Sequence, residues 1–505
     1  MKLLRISGKS WIAADEFGDF QTPVTLTRQV CELLLNRGLA PAFVVEPTCG
    51  IGNFLLTALD QFPMAAGGLG VEINPAYIDR LTASLRTFPN VDKVRVIPAS
   101  FFHTDWAALL GDLPEPILVI GNPPWVTNAQ LGVLGSINLP EKTNFQNHNG
   151  LDAITGKSNF DISESMLIKL LELLKGRTAT LAMLCKTTVA RKVLVHAWKN
   201  GMSLADAEIH LIDATTFFDA TVDACLLLCS LSPFGSNRDC RVYRHLGGNQ
   251  PSGVIGYHDG QLVANVAAYR RWKHLGGEEV YKWRSGVKHD CSKVMELRKE
   301  RHGYRNGLGE LVDLEDDYLY PMLKSSELAS GNTKEPSRWM LVTQRAVGDN
   351  TNVIRMQAPR TWNYLQKHSE VLDRRASSIY RKRPRYSVFG VGDYSFLPWK
   401  VAISGFYKRL QFITVGTFAR KPIILDDTVY FVTCQTEQEA LYIASLLDSE
   451  TVREFFSAFI FWDAKRPITI EVLRRLDLLA LARELGSEDT MISLLEQRNP
   501  RGSTW

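Results

Sequence analysis

The chain contains no apolar run approaching the roughly 18 residues that a membrane-spanning helix needs. Its opening stretch, Met1-Lys-Leu-Leu-Arg-Ile-Ser-Gly-Lys9, lacks the apolar segment of a secretory leader, so neither a membrane protein nor a secreted one is expected. Cysteine is sparse: eight residues, at positions 31, 49, 185, 225, 229, 240, 291 and 434, with no CxxC pair. That pattern excludes a disulfide framework and a zinc ribbon, and points to reduced thiols in the cytoplasm. Cys225 and Cys229 lie in the apolar run Ala-Cys-Leu-Leu-Leu-Cys-Ser and read as core. No HExxH occurs and the ten histidines show no ligand spacing, so no metal is expected. Solenoid-type repeats and low-complexity tracts are also missing.

What remains is a globular composition, 45% hydrophobic and 22% charged, in 505 residues, which leads to an expectation of two domains. The net charge of +4 conceals an asymmetry. Of 58 Lys and Arg, 14 fall within 351–425, against 3 of the 54 Asp and Glu, a local +11 in a remainder of −7. A polyanion partner fits that zone; the plainer alternative is a solvated basic face.

Along the first half, short apolar runs alternate with helical patterns. Phe43–Val45, Leu69–Ile73, Val94–Ile97, Ile117–Ile120, Ala179–Leu184 and Cys225–Cys229 read as strands. Phe54–Leu59, Pro75–Arg86, Ser163–Leu174 and Thr188–Trp198 read as helices. Continuously apolar strands separated by helices predict a parallel, doubly wound sheet. This domain is expected over 1–245, with a linker over 246–275 opened by Gly247-Gly-Asn-Gln-Pro-Ser-Gly253, and a second, α+β domain over 276–505. The polar stretch Asn128–Asn159 reads as a long functional loop.

The run Glu46-Pro47-Thr48-Cys49-Gly50-Ile-Gly52-Asn-Phe54 follows a strand and opens a helix. Two glycines permit a tight turn that exposes backbone N–H groups to a ligand at the helix N-terminus. Glu72 ends the next strand, where an acid can accept hydrogen bonds from both ribose hydroxyls. A nucleoside cofactor is expected, with NAD and S-adenosylmethionine both open at this point.

Gly121-Asn122-Pro123-Pro124-Trp125 follows the strand at 117–120. The amino nitrogen on a planar base is a poor nucleophile because its lone pair is delocalised into the ring. The Asn122 side-chain oxygen and the Pro123 carbonyl can draw its two hydrogens out of plane. Prolines stiffen the turn and leave its carbonyls available, and Trp125 offers a stacking face for an extruded base. The plain alternative is a proline-rich strand exit with a buried Trp.

With these motifs in this order, the chain resembles the gamma-group, TaqI-like adenine-N6 DNA methyltransferases of restriction–modification systems. The resemblance implies a Rossmann-like S-adenosylmethionine-dependent methyltransferase sheet with a C-terminal DNA target-recognition domain. It implies that Thr22 and Pro23, in Phe17-Gly-Asp-Phe-Gln-Thr22-Pro23, lie over the methionine part of the cofactor. Glu46, Pro47, Thr48, Cys49, Gly50, Gly52, Glu72, Ile73, Ser100, Phe101 and Asn122 join them as cofactor residues. Asn122, Pro123, Pro124 and Trp125 become the catalytic motif, Phe160-Asp161-Ile162 a cofactor-side motif, and Phe218 of the Phe217-Phe218 pair a ring that stacks on the flipped adenine. The family often has Asp-Phe-Phe where this chain has Ser100-Phe101-Phe102, and Tyr or Phe where it has Trp125. In the second half, Trp283–Asp290, Tyr320–Ser326 and Phe461–Pro467 look like target-recognition segments.

The expected activity is transfer of a methyl group to adenine N6 in double-stranded DNA by base flipping, with no general base. Arg374, Arg375, Arg381, Lys382, Arg383 and Arg385, interleaved with Tyr380 and Tyr386, and Lys465 and Arg466 near the end, are the expected DNA contacts. A separate restriction endonuclease is the further partner implied, and the chain is expected to act as a nucleoid-associated cytoplasmic monomer. The competing readings are a methyltransferase on RNA or a protein glutamine, and a non-catalytic DNA-binding defence subunit.

Overall fold

The computed structural model describes residues 21–126 and 161–498. Phe17–Phe20 of the N-terminal motif, the polar loop Asn128–Asn159 and Phe160 lie outside the described residues. The chain divides into two compact units, 1–266 and 267–505.

The first unit is built on one sheet. Its strands are β1 (Phe43–Glu46), β2 (Gly67–Glu72), β3 (Val94–Pro98), β4 (Ile117–Gly121), β5 (Ala179–Lys186), β6 (Leu204–Ile212), β7 (Ala224–Leu231), β8 (Asp239–Tyr243), β9 (Gly253–His258) and β10 (Gln261–Val263). They lie in the order β10-β9-β8-β6-β7-β5-β4-β1-β2-β3. β4 is buried at every position, as its unbroken apolar sequence requires of a strand covered on both faces. The helices α1 (Val24–Asn36), α2 (Asn53–Gln61), α3 (Pro75–Leu85) and α4 (Trp106–Gly111) connect or cover the early strands. Leu26, Val30 and Leu34 of α1 and Phe54, Leu55 and Leu59 of α2 share one core with Val44, Leu118 and Ile120 of the sheet.

β1 pairs in parallel with both β2 and β4. From that pair the chain winds outward in two directions, so the carboxyl ends of β1 and β4 border a topological switch point, where open α/β sheets bind ligands. This is an α/β, Rossmann-like sheet, though not wholly parallel. β7 runs antiparallel between β5 and β6. The connection from β6 to β7, which includes the short helix Ala214–Phe218, reverses the chain instead of crossing the sheet.

The segment 246–275, expected as a linker, is not one. β9 and β10 extend the sheet from β8, and the helix Val266–Trp272 follows. Gly247–Gly253 is the turn between two paired strands, and turn and linker have the same composition.

The second unit is α+β. A four-stranded sheet joins Arg284–Ser285, Val429–Cys434, Trp399–Ser404 and Ile413–Val415, and a six-stranded sheet runs from Leu311–Val312 to Ile424–Leu425. Helices Glu437–Leu447 and Glu450–Ser457 bury Ile443, Leu447, Phe455 and Phe456 in a core with Trp283 and Val432. No helix among the described residues is long and apolar enough to cross a membrane.

Candidate functional site

The carboxyl ends of β1, β2 and β4 border an open cleft of about 760 Å³ in the first unit. Thr22, Glu46, Pro47, Thr48, Cys49, Gly50, Glu72, Ile73, Phe101, Asn122 and Pro124 of the expected site line it. Gln21, Asn53, Asn74 and Tyr77 line it too, and sequence spacing did not single them out.

The turn after β1 needs its glycines. Gly50 has φ +50° and Gly52 φ +82°, and a Cβ on Gly50 would come within 2.8 Å of Gln21 Oε1. A Cβ on Gly52 would collide with Leu81 of α3, so Gly52 serves helix packing and does not face the cleft. Glu46 is buried beneath the turn and accepts a 2.8 Å hydrogen bond from Leu55 N in the first turn of α2, where helical N–H groups have no intrahelical partner. Burial pushes the Glu46 carboxyl well above its ordinary range; the Leu55 N–H opposes this shift and the Glu72 charge adds to it.

Glu72 ties two turns together. One oxygen accepts from Gly50 N at 2.8 Å and the other from Asn74 N at 2.7 Å. Asn74 in turn caps α3, accepting from Ala76 N at 3.0 Å. Thr48 Oγ is buried with no hydrogen-bond partner among the described residues, a polar atom beside the cleft that a ligand can satisfy. Cys49 is a spectator, because burial, and after it the Glu46 and Glu72 charges, push its thiol far up.

Three expected cofactor residues stand back from the cleft lining. Pro23 is the N-cap of α1, Ser100 accepts from Phe102 N at 3.2 Å, and Gly52 packs as above.

Asn122 and Pro124 reach the cleft from the end of β4; Pro123 and Trp125 do not. Trp125 and Phe218 are buried and meet edge to face, with centroids 5.1 Å apart and planes at 69°. In this arrangement the two rings fill each other's space.

Lys186, at the end of β5, was not a sequence candidate. Its Nζ donates to the Trp125 carbonyl at 2.8 Å and to Asp161 Oδ2 at 2.6 Å. Asp161 also accepts from Ser163 N at 3.2 Å and Ser163 Oγ at 2.5 Å, capping the helix Ile162–Leu173. Ile162 N donates to the Val126 carbonyl at 2.9 Å. The Asn-Pro-Pro-Trp loop is thus held on its far side by the Lys186 ammonium, by the Ile162 N–H and by the Trp125 indole N–H, which donates to the Leu184 carbonyl at 3.4 Å.

In the second unit the basic candidates separate by environment. Arg375 is structural: its guanidinium donates to the carbonyls of His289 and Ser387, at 3.2 and 2.6 Å, and covers the Tyr380 ring at 3.7 Å. Its hydrogen bonds thus go to the protein's own backbone, including the Leu372 carbonyl at 2.8 Å. Arg385 pairs with Asp373 at 2.6 Å, and Arg374 lies 3.6 Å from Glu370. Arg381, Lys382 and Arg383 are exposed and join no ion pair among the described residues. Lys465 is exposed, and Arg466 lies over the Phe406 ring at 4.3 Å.

No family profile matches the chain. A curated relative, the Type II methyltransferase M.NspV of Nostoc sp., is 46% identical over 469 residues, spanning 93% of this chain and 97% of the relative. Among solved structures, the Type IIL restriction–modification enzyme MmeI in complex with DNA matches with a TM-score of 0.51 at 13% identity, covering 95% of this chain and 68% of MmeI, a likeness of fold. The identity to the Nostoc protein runs almost from end to end of both chains, and on that ground the chain belongs to the Type II methyltransferases.

Proposed function

We propose that the chain is the DNA methyltransferase of a restriction–modification system and methylates adenine at N6 in double-stranded DNA, taking the base out of the helix. The observation that carries the reading is that one cleft is lined by the glycine turn, by Glu72 and by Asn122 of the Asn-Pro-Pro-Trp loop. The methyl donor is S-adenosylmethionine, and the cleft residues fit it. Glu72 places a carboxylate at the end of β2 on the cleft wall, suited to ribose hydroxyls, and Thr48 Oγ has a hydrogen bond to give. When bound, the donor supplies an electrophilic methyl group on a sulfonium.

The protein's part is positioning. Asn122 Oδ1 and the Pro123 carbonyl accept the two amino hydrogens and draw the nitrogen towards a tetrahedral shape. Their benefit grows as the nitrogen becomes positive, so they favour the transition state over the bound substrate. The Lys186 clamp holds the loop that carries them.

The test is incubation with tritiated S-adenosylmethionine and, separately, duplex DNA, RNA and protein, followed by mapping of N6-methyladenine. Label in DNA at adenine N6 is the expected result. Label confined to RNA or protein, or to another base position, refutes it. The variant Asn122→Ala should bind donor and DNA but lose about 10²–10³ in kcat.

A further inference from the structure

Between strands Trp399–Ser404 and Ile413–Val415 lies the turn Gly405-Phe406-Tyr407-Lys408-Arg409. Its backbone is fixed from below. The buried Ser404 hydroxyl accepts from both Phe406 N and Tyr407 N at 3.2 Å, Gly405 N donates to the Thr428 carbonyl at 2.9 Å, and Arg409 N donates to the Tyr407 carbonyl at 2.8 Å. Yet the side chains of this rigid turn point outward: Phe406 is 37% and Tyr407 44% exposed, with Lys408 and Arg409 exposed beside them.

A second segment meets it. Arg466 places its guanidinium 4.3 Å from the Phe406 ring centroid, and the same segment carries exposed Lys465 and Trp462, the latter 38% exposed. Lys408, Arg409 and Lys465 form no ion pair among the described residues. Aromatic rings held in water on a fixed turn do nothing for the core. Four cations beside them make a positive surface with exposed ring atoms, the combination that meets duplex phosphates and, in a groove, base edges.

We infer that the Phe406–Arg409 turn and the Lys465–Arg466 segment form a DNA-docking surface of the second unit. In this surface Lys408, Arg409, Lys465 and Arg466 meet phosphates, and Phe406 and Tyr407 meet bases. The inference rests on the DNA reading above and adds the part of the chain that engages the duplex, distinct in sequence from 381–383.

The experiment uses the full chain and fluorescence anisotropy on a duplex carrying the sequence that the wild type methylates, titrated with salt. Phe406→Ala with Tyr407→Ala should weaken binding about tenfold or more, with the salt slope kept. Lys408→Gln with Arg409→Gln should lower the slope of log K against log salt by about 0.9 for each phosphate no longer neutralised. Donor affinity by calorimetry and the melting temperature should stay at wild-type values in both. If both double variants bind this duplex with wild-type affinity and slope, the docking surface is refuted while the DNA reading stands; if the same variants instead abolish binding of a protein partner, it is refuted equally. A wild type that methylates RNA or protein and binds no duplex overturns the DNA reading and this surface with it.

Discussion

Replacing Lys186 by Met tests whether the catalytic loop is positioned from outside the cleft. Methionine keeps most of the apolar stem and removes the charge and the donor. The ion pair is largely out of water, with side-chain exposures of 23% for Lys186 and 9% for Asp161, so its attraction is poorly screened. Losing one partner of a fully buried pair costs about 3–5 kcal/mol. Asp161 retains both Ser163 donors, so its carboxylate is not orphaned, and a loss of about 2–3 kcal/mol is the better expectation. The catalytic effect is separate. With its Trp125 carbonyl released, the loop holding Asn122 shifts, and a misplacement near 1 Å costs about 10²-fold in rate. Single-turnover methylation of DNA should therefore slow by about 10–100-fold with KM for the donor almost unchanged. Adding Asp161→Asn should recover stability, since no buried charge remains, without recovering the rate, whereas Lys186→Arg should recover part of it. A Lys186→Met enzyme with wild-type kcat would refute the clamp, and so would parallel recovery of stability and rate in the double variant.

Glu72→Ala should weaken S-adenosylmethionine binding by about 2–4 kcal/mol in calorimetry and leave DNA binding intact, because the carboxylate orders the Gly50 and Asn74 turns and, in the proposed site, would accept from the ligand. Neutralising Arg381, Lys382 and Arg383 together should lower the DNA salt slope by up to about 0.9 for each phosphate they hold, whereas Arg375→Gln should lower the melting temperature, since it unties the carbonyls of Leu372, His289 and Ser387. Glu208 adds a pH term. Burial raises its carboxyl, but hydrogen bonds from His210 and Arg241 and the Arg37 charge outweigh burial and hold it at about 2. Its contribution, roughly 2–3 kcal/mol, is complete above the ordinary glutamate range and is lost as pH falls towards 2. Urea unfolding of Glu208→Gln should therefore show a flatter acid limb than wild type.

The parts of the fold that could be read from sequence are those with uniform surroundings. β4 is apolar throughout, and β1 and β5 are almost so up to the Glu46 and Lys186 that close them, because both faces are covered, and their patterns carry little ambiguity. β6 escaped notice because Glu208 and His210 interrupt it. They can be buried because they bond to each other at 2.7 Å, with Glu208 also accepting from Arg241, and such pairing leaves no trace in periodicity. Strand direction was illegible for a related reason: β7 has the same apolar sequence whether it crosses the sheet or returns along it. At the cleft, the glycine turn, Glu72 and Asn122 were legible because each closes a strand. Lys186 closes a strand as well, and a charge ending the apolar run Ala179–Cys185 was the signal that could have found it. Charge counting marked the basic zone but could not tell Arg375 from Arg381, since an arginine stem is long enough to turn inward.

The packing of Trp125 against Phe218 bears on how a base would enter. Two stacking faces around a planar ring must stand about 7 Å apart and parallel, twice an ordinary carbon contact. Here the planes are at 69° and the centroids 5.1 Å apart. Parting them forfeits an edge-to-face interaction of about 0.5–1.5 kcal/mol, less than the few kcal/mol needed to take a base out of its stack. In the proposed reaction the pair would therefore add little to the cost of flipping, while keeping two large rings out of water until a base came between them. Phe218 is the ring placed to move. It ends the five-residue helix Ala214–Phe218, where Asp219 sits at φ +51°, whereas Trp125 is held through its carbonyl by Lys186. Under the proposed reaction, the Asn122 loop would stay fixed and Phe218 would be the wall that yields to the base.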